Sequence, residues 1–119
     1  MSTTAGTRFP DSMSGAWLAV RLGIEPLKLE AMRRAGELIA VREPGSTEWL
    51  YPAWQFDSWK PRPVIPRIVG AARERGLDET QLYELLTARL GMVGGSHERL
   101  ADLLVQGRDN EVVEAVRAG

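Results

Sequence analysis

The chain contains no cysteine and a single histidine, His97, among its 119 residues. Disulfides and thiolate metal sites are therefore excluded, and one histidine offers no cluster of zinc ligands. The sequence also lacks an apolar run approaching the roughly 18 residues of a membrane-spanning helix, and it lacks a charged-then-apolar leader. We therefore expect a soluble, unexported, cytoplasmic protein that holds no metal or cofactor.

An excess of positive charge is missing as well. The chain has 15 Lys and Arg residues against 16 Asp and Glu, which gives a net charge of −1. Non-specific DNA binding depends on a field of basic residues over the protein surface. Any DNA binding by this chain would therefore depend on a local basic patch, or on a dimer that presents two such patches.

Residues 14–56 contain two short helix patterns, a glycine turn and two strand patterns. Ser14 is suited to cap a helix over residues 14–22, and Gly23 permits a sharp turn. Pro26 suits the first turn of a second helix, residues 26–35, which Gly36 ends. Residues 38–41 and 47–51 are typical of strands, and residues 43–46 between them have turn chemistry. This order of parts predicts a winged helix-turn-helix in which the hairpin is the wing.

Three segments, residues 22–24, 32–40 and 49–56, resemble the MerR/excisionase type of winged helix-turn-helix found in small bacterial DNA-binding proteins. In that family the second helix enters the major groove, where exposed polar side chains read base edges. The resemblance therefore implies binding to operator DNA through cations on the second helix and the wing. These phosphate-binding candidates are Lys28, Arg33, Arg34 and Arg42.

The expected groove-facing positions depart from the family pattern. They are Glu25, Pro26, Leu27, Lys28, Glu30 and Ala31. Only Lys28 is a good donor to a base or phosphate, and the two acids would repel a phosphate backbone. The alternative hypothesis is therefore an interaction adaptor whose winged helix packs on protein and no longer binds DNA.

Most of the aromatic residues fall within residues 49–59. They are Trp49, Tyr51, Trp54, Phe56 and Trp59. Such a cluster serves either as a stacking platform for bases or as packing for the wing and the segment after it. Basic residues are scarce among these aromatics in the sequence, so we interpret the cluster as packing.

The second half of the chain follows a proline-rich connector, residues 57–66, and its pattern is helical throughout. Apolar stripes predict helices over residues 66–75, from 78 into the leucine-rich stretch that ends at 90, over 96–106 and over 109–118. Asp78 and Gln81 have the spacing of a capping box. We expect a mainly α protein with a small β-hairpin: a flexible tail (1–13), a winged helix-turn-helix (14–60) and a helical partner-binding and dimerisation domain (61–119).

Residues 90–96, 100–104 and 107–113 are similar to the C-terminal toxin-binding region of Xre/MbcA/ParS-type antitoxins. The resemblance implies a protein partner, such as a RES-type toxin, and a homodimer. The implied partner-binding residues are Gly94, Gly95, Leu100, Leu103, Val112 and Val116. The glycines are equally explained as a helix stop before a cap at Ser96.

No residue pattern predicts catalysis. Ser96, His97 and Glu98 are consecutive at a helix start, so their side chains point in different directions and form no relay. We therefore expect a protein that is not an enzyme. The leading prediction is an antitoxin-like transcriptional regulator that binds an operator through its winged helix-turn-helix and a partner through its C-terminal helices.

Overall fold

The computed structural model describes residues 9–88 and 98–118. Within these ranges the chain is mainly helical, with two small antiparallel sheets. In chain order the elements are β1 (Ser12–Ser14), α1 (Gly15–Leu22), α2 (Pro26–Arg34), β2 (Leu50–Pro52), a 3₁₀ turn (Ala53–Gln55), β3 (Phe56–Asp57), β4 (Lys60–Pro61), α3 (Ile65–Glu74), α4 (Glu79–Thr87), α5 (Leu100–Val105) and α6 (Asp109–Ala118). The predicted fold class, mainly α with a small hairpin, is confirmed.

The first two helices have the expected ends. The Ser14 hydroxyl accepts a hydrogen bond from the amide of Trp17 at 3.2 Å, which caps α1. Gly23 lies in the left-handed region at a φ of 72°, where a side chain would be strained. Pro26 occupies the first turn of α2, where a missing N–H costs no helical hydrogen bond. The two helices therefore meet through a tight turn, as predicted.

The predicted hairpin between residues 38–41 and 47–51 is reduced to one antiparallel bridge. Val41 and Leu50 exchange two backbone hydrogen bonds, of 2.8 and 2.7 Å. All three residues of β2 pair with β1, which places Ser12 opposite Pro52 and Ser14 opposite Leu50. The wing is therefore a long loop closed by a single bridge rather than a regular two-stranded hairpin.

The segment predicted as a flexible tail contributes to the fold from residue 9 onward. Phe9 is buried, and β1 supplies one strand of the first sheet. Asp11 accepts hydrogen bonds from the Trp54 indole (2.7 Å) and the Tyr83 hydroxyl (2.5 Å). The polar sequence of this segment does not indicate this role, because the segment is held by a few contacts with residues far away in the chain. Residues 1–8 lie outside the described residues.

Two apolar clusters fill the interior. The N-terminal cluster comprises Leu18, Ala19, Leu29, Leu38, Ala40, Tyr51 and Phe56. The main cluster joins the buried residues of α3 to α6 with Phe9, Ile39, Val41, Trp54 and Val64. The extended segment 38–41 is shared between them, because its side chains alternate and successive residues enter different clusters.

The boundary predicted at residue 61 does not separate two independent cores. Ile39, Val41 and Trp54 precede that boundary, yet all three pack in the main cluster with the C-terminal helices. The predicted extended connector instead contains β4 and the first residues of α3. Ser58 and Trp59 form the two-residue loop between β3 and β4, both at positive φ (53° and 63°), as in a type I′ turn.

The C-terminal helices close the main cluster. Asp78 and Gln81 form the predicted capping box at the start of α4, with hydrogen bonds of 2.7 and 2.9 Å. The helix predicted over residues 96–106 is shorter: α5 begins at Leu100, and Asp102 accepts from the Arg99 amide at its start. The helix predicted over residues 109–118 is present as α6, and its Val113 lies in the core.

Candidate nucleic-acid interface

The face of α2 that was predicted to enter a groove is open to solvent. Glu25, Pro26, Lys28 and Ala31 are exposed, and 78% of Leu27 is accessible. Lys28 reaches solvent from this face and is suited to meet a phosphate as a mobile point charge. An exposed leucine suits contact with a thymine methyl group, which is a feature of the major groove.

Arg34 lies on the same helix and forms an ion pair with Glu30, one turn earlier. The Arg34 Nη2 to Glu30 Oε1 distance is 3.5 Å, and the Arg34 side chain is 72% exposed. Exposed pairs at this helical spacing stabilise proteins by only about 0.3–0.5 kcal/mol. A phosphate that replaced Glu30 as the partner of Arg34 would therefore cost little ion-pair free energy.

Arg33 and Arg42 converge on the indole of Trp49. The guanidinium carbon of Arg33 lies 4.0 Å from the ring centroid, and that of Arg42 lies 4.4 Å from it. Both distances are within the range of cation–π attraction, for which tryptophan is the strongest aromatic partner. The ring therefore holds a cation from the end of α2 beside a cation from the wing.

Backbone contacts fix Trp49 in this position. The amide of Gly15 donates to the Trp49 carbonyl at 3.2 Å, which ties the loop to the start of α1. Arg42 follows Val41 and Trp49 precedes Leu50, so the antiparallel bridge between Val41 and Leu50 places Arg42 and Trp49 opposite each other. The cation from the wing is therefore held next to α2 by the backbone as well as by the aromatic ring.

The Tyr51 phenol interacts with the Arg33 side chain. Burial raises the pKa of the Tyr51 phenol, and the neighbouring Arg33 guanidinium offsets part of that rise. The Nε of Arg33 is buried and has no hydrogen-bond partner in the structure. Arg33 is thus a partly buried cation, and one of its buried donors has no partner in the protein.

A second aromatic and cationic cluster was missed by the sequence analysis. The Arg21 guanidinium carbon lies 4.8 Å from the Trp59 ring, and the Trp17 ring lies 5.5 Å from the same ring. Trp17 and Arg21 are four residues apart on α1, a spacing that places them on one helix face. That spacing was a usable signal, whereas the approach of Trp59 depends on the β3–β4 turn.

The predicted partner-binding residues do not form a surface. Leu100, Leu103, Val112 and Val116 are 4%, 7%, 0% and 0% exposed. They face the main cluster, because the apolar stripes that were attributed to a partner are the sides by which α5 and α6 pack. In this structure the four side chains are therefore core residues, and their assignment as partner contacts stays a prediction. Gly94 and Gly95 lie outside the described residues.

Membrane-spanning helices and clusters of metal ligands are both absent from residues 9–88 and 98–118. None of the helices there has the length and hydropathy needed to cross a bilayer. Within the same residues, no three His, Cys, Asp or Glu side chains come together as candidate metal ligands.

Comparisons with known proteins describe the fold. No protein-family model matches the sequence, and the comparison with curated proteins gives no significant match. The solved NMR structure of Rv2175c is similar, with a TM-score of 0.76. The similarity covers 90% of this chain and 79% of that chain at 23% sequence identity. At this identity the similarity shows a shared fold.

Proposed function

We propose that this protein is a DNA-binding transcriptional regulator that acts in the cytoplasm. The observation that carries the proposal is the pair of guanidinium groups, from Arg33 and Arg42, held against Trp49 between α2 and the wing. Lys28 and Arg34 add exposed cations on α2. These four side chains form a local basic patch. Because the chain has a net charge of −1 and no overall positive field, DNA binding depends on such a patch.

Stacking on an aromatic ring suits arginine to phosphate binding. The guanidinium is planar, so one face can rest on the indole while its N–H groups, which lie in its plane, remain directed at an anion. Fixing the side chain beforehand also lowers the conformational entropy lost on binding. Arg33 and Arg42 would therefore contribute more per phosphate contact than free surface arginines.

The proposal also includes a homodimer on DNA. Four phosphate contacts from one protomer give modest affinity, and two copies on adjacent half-sites double the number of contacts. The antitoxin-like partner predicted from the sequence is not included, because the four apolar residues expected to bind it are core residues. Any protein partner of α5 would have to use exposed side chains such as Val105, which is 53% accessible.

Exposed apolar residues favour the adaptor as the second candidate. Val20 on α1 is 82% exposed and Leu27 on α2 is 78% exposed. Glu25 and Glu30 on the same face would repel phosphates. If this face packs on protein, the cations on Trp49 serve only the fold and the protein does not bind duplex DNA.

Fluorescence anisotropy with labelled duplexes tests the proposal. One duplex carries the DNA upstream of the protein's own gene, and a second of equal length and composition has a scrambled sequence. We expect the logarithm of the association constant to fall with the logarithm of salt concentration at a slope of about −3.6 per protomer, for about four phosphate contacts. If the protein does not bind DNA at low salt, the proposal is wrong and the adaptor hypothesis is favoured.

Charge variants assign the contacts. The variant Lys28→Gln/Arg34→Gln should reduce the magnitude of the slope by about 1.8 per protomer, or about 0.9 for each lost contact. Arg108→Gln/Arg117→Gln is the matched control, because it also removes two exposed cations, one just before α6 and one within it. It should leave the slope unchanged. An equal effect of both variants would indicate a response to net charge rather than a DNA-binding patch.

A further inference from the structure

A cavity of about 260 Å³ lies between the winged helix-turn-helix and the C-terminal helices. One wall comes from the end of α2 and the segment after it, and the other comes from α3 and the start of α4. Seven of its lining residues are apolar: Leu38, Ile39, Ala40, Val69, Ala72, Leu77 and Leu82. Drug-sized ligands occupy pockets of about 300–1,000 Å³, so this cavity suits a smaller molecule with an apolar body.

Two arginine residues, Arg33 and Arg73, line the same cavity. Arg73 is held at the C-terminal end of α2, where its Nη2 donates to the Arg34 carbonyl at 3.3 Å. A Cβ added to Gly36 would lie 3.2 Å from Arg73 Nη1, so the glycine allows this close approach. Two like charges beside one apolar cavity repel each other, and a bound anion would relieve that repulsion.

Two acidic residues, Asp78 and Glu79, line the same cavity, and both are exposed to solvent, which screens their charges. Asp78 also accepts the Gln81 amide as the cap of α4, so one of its carboxylate oxygens faces the start of that helix. Glu79 is exposed at the first turn of α4, where solvent and the helix N-terminus stabilise its charge.

We propose that this cavity binds a small amphiphilic carboxylate, with the apolar body between α3 and the 38–40 segment and the carboxylate at Arg33 and Arg73. Arginine is suited to this role because its planar fork matches a carboxylate. Binding at this cavity goes beyond the proposed function and does not depend on it.

A regulatory consequence follows, and this consequence rests on the proposed function. Arg33 both lines the cavity and stacks on Trp49 beside Arg42. A carboxylate at Arg33 would reduce the positive charge available to a phosphate at the wing. Occupancy of the cavity therefore weakens DNA binding by the same protomer.

The test uses phenylacetate as the probe, with phenylacetamide and phenethylamine as neutral and cationic analogues of similar size. Titrations of the full-length protein without DNA are followed by backbone amide NMR signals. We expect phenylacetate to shift the signals of residues 38–40 and 77–82 with a Kd on the order of 1 mM, a usual value for so small a ligand. Equal shifts with all three compounds, or none with phenylacetate, would overturn the assignment.

Variants locate the site. Arg73→Met should weaken phenylacetate binding at least tenfold, and Arg117→Met, with the same charge change on α6, should leave it unchanged. Leu77→Phe, which fills the cavity from a partly buried position, should also weaken binding at least tenfold and provides a second test if Arg73→Met does not fold. Unchanged affinity in a folded Arg73→Met or Leu77→Phe protein would contradict the proposed site.

The anisotropy assay then tests the regulatory consequence. We expect 10 mM phenylacetate to weaken DNA binding two- to fivefold in the wild type and not in Arg73→Met. If the ligand binds and DNA affinity is unchanged, the coupling is wrong and the site stands. If the protein binds no DNA, the proposed function fails, while the NMR titration still decides whether the site exists.

Discussion

The side-chain amide of Gln55 pairs with the backbone of Ile39 in both directions. Its Oε1 accepts from the Ile39 amide at 2.6 Å, and its Nε2 donates to the Ile39 carbonyl at 2.7 Å. Nε2 also donates to the Pro52 carbonyl at 3.0 Å. Gln55 is completely buried, so these bonds form away from water. They fasten the segment shared by the two clusters to the 3₁₀ turn.

Replacing Gln55 by leucine should destabilise the whole protein. The substitution leaves both backbone groups of Ile39 buried and unsatisfied, at about 1–3 kcal/mol for each group. We expect a loss of about 2–5 kcal/mol in the free energy of unfolding, measured by urea denaturation. Gln106→Leu, at an exposed site, is the control and should change stability by no more than about 0.5 kcal/mol. A Gln55→Leu protein as stable as the wild type would contradict this role.

Trp49→Leu tests whether the ring positions the two arginines. Cation–π contacts at exposed sites contribute about 0.5–1 kcal/mol each, so losing two of them should weaken DNA binding by about 5- to 30-fold. The salt slope should stay close to that of the wild type, because both charges remain. Trp49→Phe should retain part of the affinity. A large drop in the slope would instead mean that Arg33 and Arg42 had moved away from the phosphates altogether.

The sequence predicted the local structure well, because local signals determine it. Ser14, Gly23 and Pro26 set the ends of α1 and α2, and Asp78 with Gln81 sets the start of α4. Each signal acts through a hydrogen bond or a backbone restriction within a few residues of itself. Such features need no knowledge of the rest of the chain.

The division of the core could not be predicted in the same way. An alternating apolar segment such as residues 38–41 indicates a strand with two faces, but not which helices cover each face. The sequence also separates Arg33 and Arg42 from Trp49, so basic residues seemed scarce around the aromatics. The Val41–Leu50 bridge places Arg42 beside Trp49, and the hydrogen bond from Gly15 ties the Trp49 backbone to the start of α1. The C-terminal stripes were correctly predicted as apolar faces, and in this structure they pack in the core.

Tyr83 gives a prediction for the dependence of stability on pH. Burial, and then the hydrogen bond to Asp11, raise the pKa of the Tyr83 phenol. The folded state therefore favours the protonated phenol. The protonated phenol contributes fully to the free energy of unfolding below the ordinary tyrosine pKa of about 10. This contribution declines as the pH rises above that value.

The comparison of wild type with Tyr83→Phe isolates this contribution, since Tyr51 and the other titrating groups are present in both proteins. We expect the difference in unfolding free energy between them to shrink by about 1.4 kcal/mol from pH 9 to pH 11, because only the unfolded wild type releases the Tyr83 proton in this interval. Urea denaturation at several pH values measures this difference. A difference that is constant with pH would show that the phenol titrates equally in both states.

Trp54→Ala tests whether the two halves of the chain unfold together. Trp54 lies before the predicted boundary, but it packs in the main cluster, where its ring centroid is 6.2 Å from that of Tyr83. Its indole N–H also bonds to Asp11. Removing a buried tryptophan side chain should cost about 3–5 kcal/mol, and here the cost should be shared by helices on both sides of residue 61.

Thermal unfolding followed by NMR distinguishes the two cases. In Trp54→Ala, amide signals from α1 and from α6 should disappear at the same lowered temperature, because Ile39 and Val41 join both ends of the chain to one core. Trp17→Ala, which removes a half-exposed tryptophan from α1, is the control and should lower the transition far less. If the α1 signals are lost well before those of α6, the winged segment is an independent folding unit and the boundary predicted at residue 61 is correct after all.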